Sequence, residues 1–187
     1  MEERELAAAA AAGDEQAFTQ LVERYRSYVY TIAYKIALDE DDALDIAQNV
    51  LVRLIEKIGA FNGTGTFKAW LGTIAVREAV SFLRRAGARE VPTAPETLQE
   101  IPDQGFDGRG RRDPLEALDA AQRRRRVETA MRQLAPQQRA IFALRFVEDM
   151  RPKEIAERLG LPPRQVRSQL HNAIDRIRQI VAENKGE

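Results

Sequence analysis

Side chains that can read DNA bases are concentrated in one short stretch near the C-terminus. Arg can donate two hydrogen bonds to a guanine edge and Gln can pair with adenine, whereas Ser and Lys more often hold phosphates. The candidates for DNA contact, which this chemistry selects, are Lys153, Arg164, Gln165, Arg167, Ser168 and His171. The alternative is an ordinary solvated helix face. The turn, the spacing and the charge around these residues together favour DNA contact.

Two helices joined by a tight turn must position these side chains. Within residues 151–182, Ala156, Gly160 and Val166 lie four and then six residues apart. A helix-turn-helix needs a small residue where the helices touch, a turn residue that tolerates positive φ, and an apolar anchor in the second helix. The face opposite the polar side chains carries an apolar stripe, made of Val166, Leu170, Ile174 and Ile177. The pattern predicts a helix-turn-helix whose second helix enters the major groove.

A second group of candidates lies in and after a turn-rich loop, residues 61–66. An exposed loop with an aromatic ring and hydrogen-bonding groups, followed by basic residues, can receive an unstacked base. The candidates for this contact are Phe61, Asn62, Gly63, Thr64, Lys68, Arg77, Arg84 and Arg85. The alternative is that Phe67 and Trp70, at helical spacing, belong to the core and that the loop is only a turn. This segment alone does not decide between them.

Acidic residues at 39–42, followed by Asp45, Gln48 and Asn49, form a third constellation. Paired carboxylates can serve acid–base catalysis or bind a metal, but no third ligand or nucleophile accompanies them. Helix capping by Asp39 and the helix dipole explain most of the acids, so a solvated or protein-binding face is expected. The chain has no cysteine and one histidine, and no phosphate-binding glycine loop or nucleophile elbow. We expect no metal, no cofactor and no catalytic residue.

The chain divides by pattern into two helical segments and a connecting segment. Residues 1–86 and 114–187 have apolar residues at helical spacing, and no strand pattern of useful length appears. Residues 87–113 are rich in Pro, Gly and charged residues without apolar periodicity, which is typical of a flexible linker. The expected fold class is all-α, with two small helical domains. The stripes that support it are Leu21, Tyr25, Val29, Ile32 and Ile36; Ile46, Val50, Leu54 and Ile58; Val127, Met131 and Leu134; and Ile141, Phe142 and Phe146.

Charge is balanced over the whole chain but not along it. The first 86 residues carry 10 Lys and Arg against 13 Asp and Glu, whereas residues 115–187 carry 15 against 10. The positive excess therefore accompanies the helix-turn-helix, as phosphate binding requires. No run of apolar residues is long enough to span a membrane, and the alanine run at 7–12 lacks the basic start of a signal peptide. We expect a cytoplasmic protein without membrane contact.

Three segments in this order resemble the extracytoplasmic-function class of bacterial sigma factors. DALDIAQNVLVRL at 42–54 and FNGTGTFKAWLGTIA at 61–75 are similar to two stretches of the second conserved region. The segment from 134 to 178, which contains the helix-turn-helix, is similar to the fourth region. The resemblance covers nearly the whole chain outside the linker.

The resemblance implies a role for each segment. The first domain would contact the clamp helices of core RNA polymerase through Asp45, Gln48, Asn49 and Leu51. The loop at 61–66 would capture a base flipped from the minus-ten element, and the helix after it would contact neighbouring promoter DNA. The helix-turn-helix would read the minus-thirty-five element as duplex, and the linker would run toward the RNA exit path. An anti-sigma factor is an expected further partner.

The chain departs from the family pattern at three places. Leu51 stands where Phe is frequent, and Arg77 and Ser81 stand where Asn and Asp are usual. Arg164 and Gln165 replace a common Gly-Thr pair in the recognition helix. These departures affect the residues expected to meet DNA or polymerase, so the preferred promoter sequence is left open.

The function expected from these observations is promoter-specific initiation by RNA polymerase, with no enzymatic activity in this chain. The alternative is a stand-alone helix-turn-helix regulator with an N-terminal dimerisation or sensing domain. Residues 61–75 speak against it, because a repressor does not need such a segment. An enzyme finds no support in the nucleophiles or metal ligands of the sequence.

Overall fold

The computed structural model describes residues 2–90, 120–146 and 148–183, and all regular structure within these ranges is helical. The chain forms two compact units, Met1–Glu90 and Val91–Glu187, called here the N-terminal and C-terminal units. The all-α prediction is confirmed for the described residues. The helices are α1 (Glu3–Ala11), α2 (Glu15–Ala37), α3 (Glu40–Lys57), a 3-10 helix (Ile58–Ala60), α4 (Phe67–Glu90), α5 (Ala120–Arg132), α6 (Pro136–Phe146), α7 (Pro152–Leu159) and α8 (Pro163–Glu183).

Helices α2, α3 and α4 build the core of the N-terminal unit. Asp14 caps α2 and Asp39 caps α3, each by accepting hydrogen bonds from two amides of the first turn. The two stripes expected on α2 and α3 are confirmed, because every one of their residues is buried. The capping role expected for Asp39 is confirmed as well, and it accounts for part of the acidic cluster without any catalytic purpose.

Helix α1 has no counterpart among the helices expected from periodicity. Its alanine run has the highest intrinsic helix propensity, and the Glu5 carboxylate accepts a hydrogen bond from the Glu2 amide at the start of the helix. Leu6, Ala7 and Ala10 are buried, so the helix packs on the unit through small side chains. Such a run gives no apolar periodicity, since alanine occupies both the buried and the exposed positions.

Helix α4 extends to Glu90, four residues past position 86, at which the sequence suggests the end of the first domain. The first proline after the helix is Pro92, so no residue before Val91 is forced to leave the helical backbone. The rest of the expected linker, residues 91–113, lies outside the described residues. So do residues 114–119, with which the second domain was expected to begin.

A buried arginine joins the first two helices of the C-terminal unit. Arg139 of α6 donates from Nε to the Met131 carbonyl at 3.0 Å and from Nη2 to the Arg132 carbonyl at 2.9 Å. These carbonyls lie at the end of α5, where helical partners run out, and the guanidinium bonds both of them; the Met131 carbonyl also accepts from the Leu134 amide at 3.0 Å. Met131, Leu134 and Ile141 are buried as expected, and Val127 and Phe142 are half-buried.

One apolar expectation for α6 is wrong. Phe146 was expected to share the buried face of Ile141, but its side chain is 54% exposed. Phe142 and Phe146 lie four residues apart, and their ring centres are 4.5 Å apart with the planes tilted by 39°, on a face rotated by one residue from that of Ile141. The core instead receives Ala143 and Leu144.

Candidate nucleic-acid interface

The turn of the helix-turn-helix is set by its own residues. Gly160 ends α7 with φ of 68° and ψ of 35°, in the left-handed region expected from its position. The Leu161 amide donates to the Ala156 carbonyl at 3.0 Å, and the Val166 amide donates to Pro162 at 3.2 Å as α8 begins. Ala156 and Val166 are both buried. The three spacing residues therefore have the roles that the sequence predicts.

Helix α8 separates its apolar and polar faces along its length. The stripe of Val166, Leu170, Ile174 and Ile177 is buried. Lys153, Arg164 and Arg167 are exposed, and Gln165, Ser168 and His171 are partly exposed. The structure thus brings the expected contacts of α8 together on its accessible side, with Lys153 at the start of α7.

An acidic side chain that the sequence reading passed over lies beside this surface. The His171 Nε2 atom lies 3.1 Å from a carboxylate oxygen of Asp175, one helical turn further along. The Arg178 guanidinium lies 3.6 Å from the same side chain. Asp175 therefore places a negative charge within the basic surface of α8, and a carboxylate repels phosphates. The i, i+4 spacing of 171 and 175 is the signal that would have revealed this pair.

The loop at 61–66 has a defined backbone. Gly63 and Gly65 have φ of 74° and 77°, values that residues with a Cβ rarely adopt. The Asn62 Oδ1 atom accepts a hydrogen bond from the Thr64 amide at 3.0 Å, and the Thr66 hydroxyl caps α4 through the Ala69 amide at 3.1 Å. The Asn62 side chain thus orders the loop with its oxygen, and its exposed amide nitrogen is positioned to donate.

A cluster of aromatic rings lies beneath this loop. Phe67 is fully buried, and its ring lies 5.4 Å from Phe61, 5.5 Å from Trp70 and 5.4 Å from Tyr25. Phe61 is partly buried and meets Phe67 edge-on, at an angle of 89°. The alternative considered for Phe67 is therefore correct, because it is a core residue, and Trp70 is half-buried beside it. The loop is therefore a structured element that packs on a cluster of aromatic rings.

Basic residues of α4 differ in what they contact. The Lys68 ammonium lies 4.7 Å from the centre of the Tyr28 ring, close enough for a cation–π interaction. Arg77 and Arg84 are exposed. Arg85 lies 3.1 Å from the Glu78 carboxylate and donates to the Ser81 hydroxyl at 2.7 Å.

The Glu78 carboxylate needs such a partner because it is 4% exposed, and Arg53 of α3 contacts its other oxygen. Arg85 therefore neutralises a buried charge inside the N-terminal unit, which the sequence reading did not foresee.

The outer face of α3 combines polar and apolar side chains. Asp45 and Gln48 are exposed, and Asn49 and Leu51 are partly exposed. Three large apolar side chains that the sequence reading did not select share this helix: Leu44 is 51% exposed, Val52 57% and Ile55 64%. Leu44, Gln48 and Leu51 also line a groove of about 430 Å³ against α2. Apolar residues that lie off the buried stripe of α3 are the signal that sequence reasoning missed.

No group of three or more His, Asp or Glu side chains among the described residues is arranged to hold a metal ion. Among the same residues, no helix has both the length and the apolar character that crossing a membrane requires.

Comparison with known proteins gives a consistent result for both units. The family model of sigma-70 region 2 matches residues 21–89, and that of sigma-70 region 4 matches residues 124–177. An ECF RNA polymerase sigma factor of Mycolicibacterium smegmatis, SigE, is 26% identical over 95% of this chain and 67% of its own length. The sigma factor SigV of Bacillus subtilis is 29% identical over 80% of this chain and 81% of its own.

The chain belongs to the extracytoplasmic-function sigma factors. Sigma factors are transcription initiation factors that do not themselves catalyse a reaction. Solved structures agree on the fold. CnrH in complex with the cytosolic domain of CnrY has a TM-score of 0.61 at 22% identity, covering 97% of both chains. RpoE of Bartonella quintana, in complex with the anti-sigma factor NepR, has a TM-score of 0.59 at 19% identity, covering 88% of this chain and 96% of its own.

Proposed function

We propose that this sigma factor binds core RNA polymerase through α3, reads duplex minus-thirty-five DNA with α8, and stabilises the opened minus-ten element with the loop at 61–66. The observation that carries the proposal is the presence, in one chain, of an ordered loop with exposed hydrogen-bonding groups and a helix-turn-helix with an exposed basic face. A regulator that only binds duplex needs the second and not the first. Both are expected in a protein that selects and opens promoters.

The face of α3 supports polymerase binding by its composition. Protein interfaces combine an apolar centre with a polar rim, and α3 exposes Leu44, Val52 and Ile55 beside Asp45 and Gln48. We assign this surface, with Asn49 and Leu51, to the clamp helices of core polymerase.

The minus-ten assignment rests on the loop and on the start of α4. The exposed amide nitrogen of Asn62 and the backbone around Gly63 and Thr64 offer hydrogen bonds to a flipped base, and Phe61 offers a partly exposed ring. Lys68, Arg77 and Arg84 would contact the phosphates of adjoining DNA. Arg85, which neutralises Glu78, would add only its remaining hydrogen-bonding capacity.

The minus-thirty-five assignment rests on the accessible side of α8. Arg164, Gln165 and Arg167 can reach base edges from the first turns of a recognition helix. Lys153, Ser168 and His171 are suited to phosphates and fix the register. Each of the two DNA contacts is expected to be weak alone and to gain affinity when polymerase fixes their separation.

Regulation by a second protein is part of the proposal. The Bartonella quintana relative was solved with the anti-sigma factor NepR, and we propose that an anti-sigma factor holds this chain as well. Both partners, polymerase and promoter DNA, place its action in the bacterial cytoplasm.

Transcription in vitro tests the proposal. Purified protein with core polymerase is expected to give transcripts from starts mapped after overexpression, and core polymerase alone is expected to give none. Absence of promoter-dependent transcripts, while a known sigma factor succeeds with the same core enzyme, would contradict it. Sedimentation with and without core polymerase tests the alternative. A stand-alone regulator is expected to form a homodimer and to bind operator DNA without polymerase.

A further inference from the structure

The loop at 61–66 is anchored by a residue far away in sequence. The Glu3 Oε1 atom of α1 accepts a hydrogen bond from the Phe67 amide at 2.9 Å, across 64 positions of the chain. Phe67 is the first residue of α4 and follows the loop directly. A carboxylate is favoured here twice, because it satisfies an amide without a helical partner and lies at the positive end of the helix dipole.

The second oxygen of the same carboxylate is also engaged. The Tyr25 hydroxyl of α2 donates to Glu3 Oε2. The Tyr25 ring lies 5.4 Å from Phe67, which in turn contacts Phe61 at the other end of the loop. Glu3 and Tyr25 therefore connect to both ends of the loop. They reach its C-terminal end through the Phe67 amide, and its N-terminal end at Phe61 through the rings of Tyr25 and Phe67.

The chemistry of Tyr25 is consistent with a hydroxyl that stays protonated in this position. Burial, the hydrogen bond to Glu3 and the negative charge of that carboxylate together raise its pKa to about 12. At neutral pH the Tyr25 hydroxyl is thus protonated and can donate to Glu3.

We infer that Glu3 and Tyr25 form a positioning pair that holds the base-accepting loop in the geometry required for promoter opening. The inference rests on the proposed function, because positioning the loop affects promoter opening only if the loop binds a flipped base. Glu3 does not touch DNA in this account. It acts through Phe67, which directly follows the turn at Gly63 and Gly65.

Three variants separate the contributions of the pair. Glu3→Ala removes both hydrogen bonds. Glu3→Gln keeps an acceptor for the Phe67 amide and loses the charge. Tyr25→Phe keeps the ring contact with Phe67 and loses only the hydroxyl. Glu5→Ala is the matched control, since Glu5 is an exposed carboxylate of the same helix that bonds only the Glu2 amide among the contacts described above.

The experiment uses the complete holoenzyme on a promoter mapped for this protein, with a fluorescent base analogue in the minus-ten element. We expect Glu3→Ala to slow promoter opening about tenfold and Tyr25→Phe about threefold, the range of losing hydrogen bonds to a charged group. Glu3→Gln is expected to fall between wild type and Glu3→Ala, and Glu5→Ala to equal wild type. Affinity for core polymerase is expected to change less than about twofold in all four, because the pair lies on α1 and α2 whereas the surface assigned to polymerase is the outer face of α3.

A merely structural role would give a different pattern. It would lower the urea midpoint and the affinity for polymerase, and leave the opening rate of the bound complex at the wild-type value; that result overturns the inference. Amide exchange supplies a second measurement, in which the Phe67 amide is expected to lose protection in Glu3→Ala. Unchanged protection there would equally overturn the inference.

Asn62→Ala distinguishes the two levels of failure. Slow opening in Asn62→Ala with normal opening in Glu3→Ala and Tyr25→Phe rejects the positioning pair and keeps the base-accepting loop. Normal opening in Asn62→Ala as well rejects the loop's role in the proposed function, and the inference with it.

Discussion

The two regions assigned to DNA hold their contact residues in opposite ways. In the helix-turn-helix, Gly160 and Val166 fix the angle of α8 from within the same 32-residue stretch. In the N-terminal unit, the loop at 61–66 depends on Glu3 and Tyr25, which come from two other helices. A rigid helix suits the reading of duplex DNA, whose shape is fixed, whereas a supported loop suits a base that must first leave the stack. The difference teaches that reading and opening DNA place different demands on the scaffold.

The largest effect is expected from removing the buried ring of Phe67, which lies beneath the loop. Phe67→Ala is expected to lower the free energy of unfolding of the N-terminal unit by about 3–5 kcal/mol, since it empties a fully buried aromatic site. Urea unfolding followed by Trp70, the single tryptophan of the chain, measures this unit selectively. Phe146→Ala, at an exposed ring of the C-terminal unit, is the control and is expected to change stability by no more than about 0.5 kcal/mol. A small loss in Phe67→Ala would mean that the loop does not depend on this cluster.

The next effect concerns reading by α8. Arg164→Ala or Arg167→Ala is expected to weaken use of the minus-thirty-five element by about 1–3 kcal/mol if the guanidinium forks onto a base. Competition between promoter fragments with altered minus-thirty-five bases measures it. Arg178→Ala on the same helix, near Asp175, is the matched control. Unaltered promoter preference in both test variants would show that these arginines are only solvated.

The turn of the helix-turn-helix gives a smaller effect. Gly160→Ala is expected to cost roughly 1–2 kcal/mol, because alanine must adopt the left-handed conformation that glycine holds at φ of 68°. Circular dichroism should reveal an earlier transition for the C-terminal unit, while the transition followed by Trp70 stays in place. A shift of the Trp70 transition would mean that the two regions are not supported independently.

The last effect is absent at neutral pH and is a pH dependence confined to the alkaline range. In the folded state Tyr25 keeps its proton up to about pH 12, whereas an unfolded tyrosine loses it near pH 10, so the folded state binds more protons between these values. The stability of the N-terminal unit is therefore expected to fall as pH rises from about 10 to about 12. Tyr25→Phe should remove this part of the slope. In ultraviolet titration, one of the four tyrosines should ionise late; simultaneous ionisation of all four would contradict the Glu3 contact.

Sequence alone revealed the parts of the molecule whose support is local. Ala156, Gly160 and Val166 lie close enough for their spacing to predict their roles, and the stripes of α2, α3 and α8 follow from a period of 3.6 residues. The pairing of Glu3 with Phe67 could not be inferred in this way, because no spacing rule links residues 64 positions apart and an alanine-rich helix gives no periodic signal.

The sequence also could not predict which charged side chains pair inside the fold and which apolar side chains stay exposed. Arg85 was expected at DNA because it follows Arg84 in a basic helix end, but its guanidinium pairs with Glu78, whose burial cannot be read from composition. The exposed apolar residues of α3 were passed over for the converse reason. Leu44, Val52 and Ile55 are apolar, so a reading by pattern assigns them to the interior, and only the packed structure separates them from Ile46, Val50 and Leu54.

The exposure of Arg164, outside the buried stripe of α8, has a consequence for evolution if α8 reads promoter DNA as proposed. Substitutions at such surface positions usually change stability by about 0.5 kcal/mol or less, so selection can exchange this residue while the domain keeps folding. A duplicated copy of the gene would then acquire new upstream targets in a few mutational steps. Substitutions in the loop are less easily tolerated, because its glycines have positive φ and its first residue packs in the aromatic cluster. New regulons are therefore expected to arise first through α8.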